Sequence, residues 1–317
     1  MLGLFLELGV ISGDNRPRLA RALNKASRRG DEALVHTIIE LGADVNEGGS
    51  HGDTALGAAS SFGREAIVSL LIEKGADVNA SFLSMSSNFD ESNASRSRTT
   101  ALYTASAMGH QNIVRTLLEH GADINVASRD GTALGAAFQN GHEAVVRSLV
   151  EAGADVNALH VGQSGESSTV LYAASLAGHH TVVSLLLEHG ADVNMGCPLF
   201  AASWKGHEAV VQTLLEHDAD PNQSKFLKSL NTTFLPLHEA LERGELNVVR
   251  LLLDHGADVH ISSSKHQNAF DALDWCRDQE KRLACEQLFH ERNVVRPQDP
   301  HSTWIDGTAC LNSMYKE

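Results

Sequence analysis

The sequence predicts an all-α repeat solenoid, a linear stack of helix-turn-helix units, and three observations carry that prediction. One pentapeptide recurs seven times, as GADVN at 42, 75, 153 and 190, GADIN at 121, DADPN at 218 and GADVH at 256. A glycine stands twelve residues before each copy, at Gly30, Gly63, Gly109, Gly141, Gly178, Gly206 and Gly244. A tripeptide of the type Thr-Ala-Leu begins nine residues before each of those glycines, and neither spacing varies. A chain of 317 residues would otherwise suggest two globular domains. Units of this size instead bury their apolar faces against their neighbours, so no single core is expected.

Each unit reads as two helices. The tripeptides begin at Arg21, Thr54, Thr100, Thr132, Thr169, Cys197 and Leu235. Threonine at that point suits a helix N-cap. Small residues follow, as in Ala58-Ala59, Ala136-Ala137, Ala173-Ala174 and Ala201-Ala202, and permit close helix approach. After the mid-unit glycine, Val145-Val146 with Leu149-Val150 and Val182-Val183 with Leu186-Leu187 place aliphatics on one face of a second helix. The glycine of GAD fits the left-handed position just past a helix end.

The rigid unit, T-x-L-x-x-A-x-x-x-G-H-x-x-V-V-x-x-L-L-E-x-G-A-D-V-N, resembles the ankyrin repeat. Thr132 to Asn157 follows the family pattern nearly throughout, departing at Gly135, where the family usually has His. The resemblance covers about residues 1 to 293 and implies an ankyrin stack with β-turn fingers between units. On that reading residues 21–267 hold seven repeats. Residues 268–293 form a C-terminal capping repeat, with Asn268-Ala269-Phe270 at the tripeptide phase and a polar complement from Asp271 to Arg282. Residues 294–317, with Pro297 and Pro300, read as an irregular tail. Residues 1–20 read as a half repeat, because Gly9 lies 33 residues before Gly42, or as an unrelated apolar helix acting as an N-terminal cap. The chain is thus expected to begin mid-repeat.

All length variation falls between the last Asn (or His260) of one unit and the tripeptide of the next, in steps of 8, 21, 7, 12, 3, 13 and 8 residues. The resemblance makes these segments the fingers at the rim of the concave face, where ankyrin proteins usually bind partners, and loops on a rigid scaffold commonly carry function. The largest, Ala80 to Thr99, holds seven serines. It reads as a flexible surface loop, or as a regulated one with phosphorylation candidates Ser95, Ser97 and Thr99 and partner contacts through Phe82, Met85, Phe89 and Arg96. A second long finger offers Phe226 and Lys228. The shortest, Met195-Gly196, would leave a notch in the rim. In this family the two residues before the mid-unit glycine face the concave groove. That carries over to Arg28, Arg29, Phe62, Met108, Asn140, Leu176, Trp204, Lys205 and Arg243 as protein-binding candidates, with Trp204 alternatively covering the space left by the short finger.

Charge and motifs exclude several classes. The 25 basic against 40 acidic residues leave a net −15, which disfavours a nucleic-acid or anionic-membrane binder. The seven repeat aspartates and the seven acids two residues before each motif supply 14 of the 40 carboxylates, so the excess belongs to the scaffold. Eight of the 17 histidines occupy two fixed positions, His110, His142, His179 and His207 after the mid-unit glycine and His120, His189, His217 and His255 before GAD or DAD. Such repetition marks structure, because a catalytic site is needed once. His142-Glu143 and His207-Glu208 lack the second histidine of HExxH. The repeat aspartates are too dispersed to share one calcium ion. No phosphate loop or nucleophile elbow occurs. Cys197, Cys276, Cys285 and Cys310 form no CxxC pair and suit a reducing compartment. Met1 to Ile11 is apolar but lacks a basic n-region and carries Glu7, so the chain is expected to be cytoplasmic or nuclear and not secreted.

The expected function is a non-catalytic protein-protein interaction module, an adaptor, scaffold or inhibitor working through its concave face and fingers. It is expected to be a monomer, with no cofactor, metal, nucleic acid or membrane partner. The alternative is a regulatory or sensor arm of a larger protein whose catalytic or nucleotide-binding domain lies upstream.

Overall fold

A computed structural model describes residues 16–49, 53–83, 98–128, 131–161, 167–227 and 230–296. The described residues form eight helix pairs: α1 (Arg16–Arg29) with α2 (Glu32–Glu40), α3 (Ala55–Ser61) with α4 (Glu65–Glu73), α5 (Ala101–Ala107) with α6 (Gln111–Glu119), and α7 (Ala133–Gln139) with α8 (Glu143–Glu151). There follow α9 (Val170–Ala177) with α10 (His180–Glu188), α11 (Pro198–Lys205) with α12 (Glu208–Glu216), α13 (Pro236–Arg243) with α14 (Leu246–Asp254), and α15 (Ala269–Asp274) with α16 (Gln279–Glu291). Each first helix packs on the first helices of the adjacent units and each second helix on the adjacent second helices, giving two layers. None of these helices is long and apolar enough to cross a membrane.

Start signals work as local chemistry dictates. The hydroxyls of Thr54, Thr100, Thr132 and Thr169 accept from the backbone N–H of Gly57, Tyr103, Gly135 and Tyr172 at 3.0–3.3 Å. Where Cys197 and Leu235 supply no such cap, Pro198 and Pro236 take the first helical turn, where no N–H is needed. Asn268 caps α15 through the N–H groups of Phe270 and Asp271. The first helix departs from the repeat phase. It already runs from Arg16, the first described residue, five residues before Arg21, and no turn residue intervenes.

The core is a continuous ribbon between the layers. Ile67 and Leu71, Ile113 and Leu117, Val145 and Leu149, Val183 and Leu186, Val211 and Leu214, and Val249 and Leu252 are buried from successive second helices. At the matching point of five first helices Ser27, Ser60, Ser106, Ser175 and Ser203 are fully buried, and their hydroxyls have no hydrogen-bond partner. A small side chain fits there better than its polarity does.

Three connections carry antiparallel hairpins: β1 (Phe82–Leu83) with β2 (Arg98–Thr99), β3 (Leu159–Val161) with β4 (Ser167–Thr169), and β5 (Lys225–Leu227) with β6 (Thr232–Phe234). The shorter finger before α7 closes by a single bridge between Ser128 and Gly131.

Candidate functional site

The repeated polar residues are consumed by the scaffold. In all seven units the GAD or DAD aspartate accepts from the N–H two residues on, at 2.8–3.0 Å, from Asp44 and Asn46 through Asp258 and His260. The Asn that ends one motif then clamps the next. Asn79 Oδ1 accepts from Asp123 N at 2.7 Å while its Nδ2 donates to Gly121 O at 3.1 Å. The acceptor half recurs from Asn46, Asn125, Asn157, Asn194 and Asn222 at 2.7–2.9 Å. These aspartates therefore order turns.

Both histidine positions serve the same scaffold. The rings of His120, His189, His217 and His255 bring Nδ1 within 2.8–2.9 Å of a carbonyl one turn back, capping the second helix. Nε2 of His110, His142 and His207 reaches a carbonyl of the preceding unit's first helix, at Ser61, Ala107 and Leu176, over 3.0–3.3 Å. Arg64 plays the part for Arg28, and His179 instead meets Phe138 edge-on. The ring also explains the glycine before it. A Cβ on Gly109 would lie 2.6 Å from His142 Nδ1, and φ there is 77°.

With the repeated positions accounted for, much of the exposed apolar surface lies at the ends of first helices and on the hairpins, while Leu41, Val126, Leu283 and Val295 are exposed elsewhere. Phe62 and Met108 are each 49% exposed, and Phe226 is 52% exposed beside Leu230. Leu159 projects from β3 while His160, the next residue, is buried, as strand alternation requires. Arg28 lies over the Phe62 ring, 5.4 Å from its centroid, and pairs with Asp53 at 3.4 Å. Arg29 is exposed and Leu176 half-buried. Asn140 is exposed, but its amide donates to Ala136 O in its own helix at 2.8 Å, which removes it as a free polar contact.

Trp204 is half-buried and stacks parallel to the buried Phe200 at 6.4 Å. Lys205 Nζ and Arg243 Cζ lie 4.4 and 5.1 Å from its ring centroid. The short Met195-Gly196 connection is bridged rather than open: Lys225 reaches from β5 to donate to Gly196 O at 2.9 Å, over the Tyr172 ring.

Two finger candidates need correction. Phe82 is 3% exposed, with its ring packed against Gly57 of the preceding first helix, so it belongs to the scaffold. Thr99 is 2% exposed in the hairpin base, where a kinase cannot reach its hydroxyl. That base is held by Arg98, whose guanidinium donates to Ser81 O at 2.8 Å and Ser81 Oγ at 2.9 Å. Met85, Phe89, Ser95, Arg96, Ser97 and Lys228 lie outside the described residues, as do 1–15 and 297–317.

One cluster escaped the sequence reading. Glu239 and Glu242 on α13 meet Lys265 and His266 from the connection to α15. Lys265 Nζ pairs closely with Glu242 and lies 3.6 Å from Glu239, and His266 Nε2 is 3.3 Å from Glu242. Burial pushes the Glu239 carboxyl up. Burial also acts on Glu242, but the hydrogen bond and charge of Lys265, with help from His266, hold it below its usual value. His238, buried alongside, is lowered to about 4 by burial first and by the His266 charge second. Glu239, Glu242 and His266 bring ligand atoms within 4.8 Å of one another, a donor set suited to a divalent cation. The Lys265 ammonium already fills the slot between the carboxylates. The only sequence signal was the i, i+3 pair on a helix, because its partners come from more than 20 residues away.

Comparison with known proteins agrees with this geometry. The fold is similar to the crystal structure of the human ASB11 ankyrin repeat domain, with a TM-score of 0.55 at 24% identity over 74% of this chain and 98% of that one. Palmitoyltransferase AKR1 of Candida albicans is 26% identical over 74 residues, which are 23% of this chain and 8% of that protein's length. The ankyrin-repeats profile matches three times, over residues 8–82, 81–160 and 159–225, and a single ankyrin-repeat profile matches 234–264. With paired helices, hairpin fingers and these matches over most of its length, the chain belongs to the ankyrin repeat family.

Proposed function

We propose that this chain is a non-catalytic adaptor, scaffold or inhibitor that binds a protein partner through the first-helix face and the hairpin fingers. Ankyrin repeats are typically protein-binding modules, and one observation carries the reading here. The residues that recur in every unit are spent on the scaffold, while exposed aromatic and aliphatic groups, Phe62, Met108, Leu159 and Phe226, sit at first-helix ends and on fingers. Large side chains on rigid supports are the usual energetic anchors of interfaces. The sequence carries no recognisable catalytic motif, in keeping with the non-catalytic part, and the cysteine usage supports a cytoplasmic or nuclear location.

An affinity pull-down tests it, comparing the wild type with Trp204→Ala, with Phe62→Ala/Met108→Ala, and with a version lacking residues 84–97, which keeps the Phe82 and Arg98 hairpin base. Loss of specific partners in any of these is expected. Identical partner sets from all four proteins would refute the surface assignment.

The second reading, a regulatory arm of a larger protein, is favoured by one observation: the matched segment makes up 8% of a curated relative named as a palmitoyltransferase. A transcript with an in-phase open reading frame joined upstream of Met1 would support it, and an in-frame stop codon directly before Met1 would remove it.

A further inference from the structure

Lys205 and Arg243 occupy the same repeat position in adjacent units, directly before Gly206 and Gly244, at the C-terminal ends of α11 and α13. Both are exposed, and both cationic groups lie within 5.1 Å of the centroid of the Trp204 ring. Neither has a carboxylate at ion-pair distance among the described residues, although acids are close in sequence. Glu242 is engaged by Lys265 and His266, Glu239 is buried facing Lys265, and Glu245 pairs with Lys281 at 3.4 Å. Lys225, on β5, is a half-buried cation on a separate ring, that of Tyr172. Its ammonium rests on Gly196 O and the Tyr172 ring, with no carboxylate partner at ion-pair distance among the described residues. In a chain of net charge −15, Lys205 and Arg243 gather on one aromatic ring without an ion-pair partner among the described residues, although the Glu239 carboxylate acts on Arg243 at longer range. The connection before α11 carries no hairpin that would screen them.

We propose that this face docks an acidic segment of a protein partner, an extended stretch rich in Asp and Glu whose carboxylates pair with Lys205 and Arg243 while an apolar side chain lies against Trp204. The proposal rests on the protein-binding reading above and adds the chemistry of the partner. A cation already held over an aromatic face pays little further ordering entropy when a carboxylate arrives. The negative field over most of the chain disfavours approach of the acidic segment to those surfaces, the basic helix α1 excepted.

The test uses the full chain and a fluorescein-labelled ten-residue peptide of alternating Glu and Leu, with a Gln-Leu peptide as the neutral probe, read by anisotropy at low and physiological salt. Binding of the acidic peptide alone is expected, weakening as salt rises. Lys205→Glu/Arg243→Glu should weaken it by about tenfold or more, Lys205→Arg/Arg243→Lys should retain it, and Arg147→Glu/Arg250→Glu on the second helices should leave it unchanged. Thermal melts exclude loss of fold in each variant. Equal binding of both peptides, equal weakening by the Arg147/Arg250 pair, or no binding at low salt would overturn the proposal. If the acidic peptide fails while the Trp204→Ala pull-down still loses partners, the protein-binding reading stands and the acidic chemistry alone falls.

Discussion

The ring of Phe82 packs into the space that a side chain on Gly57 would occupy. Phe82 comes from the finger three residues after Asn79, and Gly57 from the first helix of the unit before. The same exchange recurs between His160 and Gly135, where an added Cβ would lie 2.6 Å from His160 Cβ. Gly57→Ala is expected to destabilise by about 1–3 kcal/mol, the usual cost of overpacking. Phe82→Ala introduced with it should cost less than the two separate changes together, because the clash is shared. Additive urea-unfolding energies would mean that the ring moves aside freely.

Asp218 stands where six other units have glycine, and holds φ at 62° beside glycines at 81–90°. A side chain in the left-handed region is strained, and Asp218 is exposed with no ion pair among the described residues to offset the strain. Asp218→Gly should raise stability by about 0.5–1 kcal/mol. A lower melting temperature for this variant would count against the strain.

His238 makes stability depend on pH. Its folded value of about 4 lies below the 6.5 of the unfolded chain, chiefly through burial and then through the His266 charge, with Lys265 acting in the same sense and Asp271 against it. Between those two values the unfolded chain binds more protons. Stability is therefore complete above the unfolded value and is lost as pH falls towards the folded one. Glu239 acts oppositely, because burial raises it and its penalty grows as pH rises past its unfolded value. From pH 7 to pH 5 the wild type should lose about 2 kcal/mol more than His238→Gln, measured by urea unfolding. Parallel losses in the two proteins would assign the acid sensitivity elsewhere.

Asn79 joins two units through both ends of its amide. Asn79→Asp keeps an acceptor for Asp123 N but turns an oxygen towards Gly121 O, and a loss of about 1–2 kcal/mol is expected. Because contacts in a linear stack run only between neighbours, the loss should appear in hydrogen exchange as earlier opening at the α4–α6 junction. Uniformly faster exchange along the whole chain would contradict that.

The sequence by itself determined the period, the helix pairs, the threonine caps and the structural character of eight histidines and seven aspartates, because repeat position is a local property copied from unit to unit. Gly135 was already visible as a departure from the pattern. Why it is glycine was not, since His160 reaches it from the following finger. The cluster of Glu239, Glu242, Lys265 and His266, the burial of Phe82 and Thr99, and the cations around Trp204 were decided only by the tertiary structure. Each depends on how a variable connection folds back over its neighbouring units, and that register has no periodic signal in the chain. The helices follow from local spacing, whereas the chemistry left exposed follows from which finger covers which helix end.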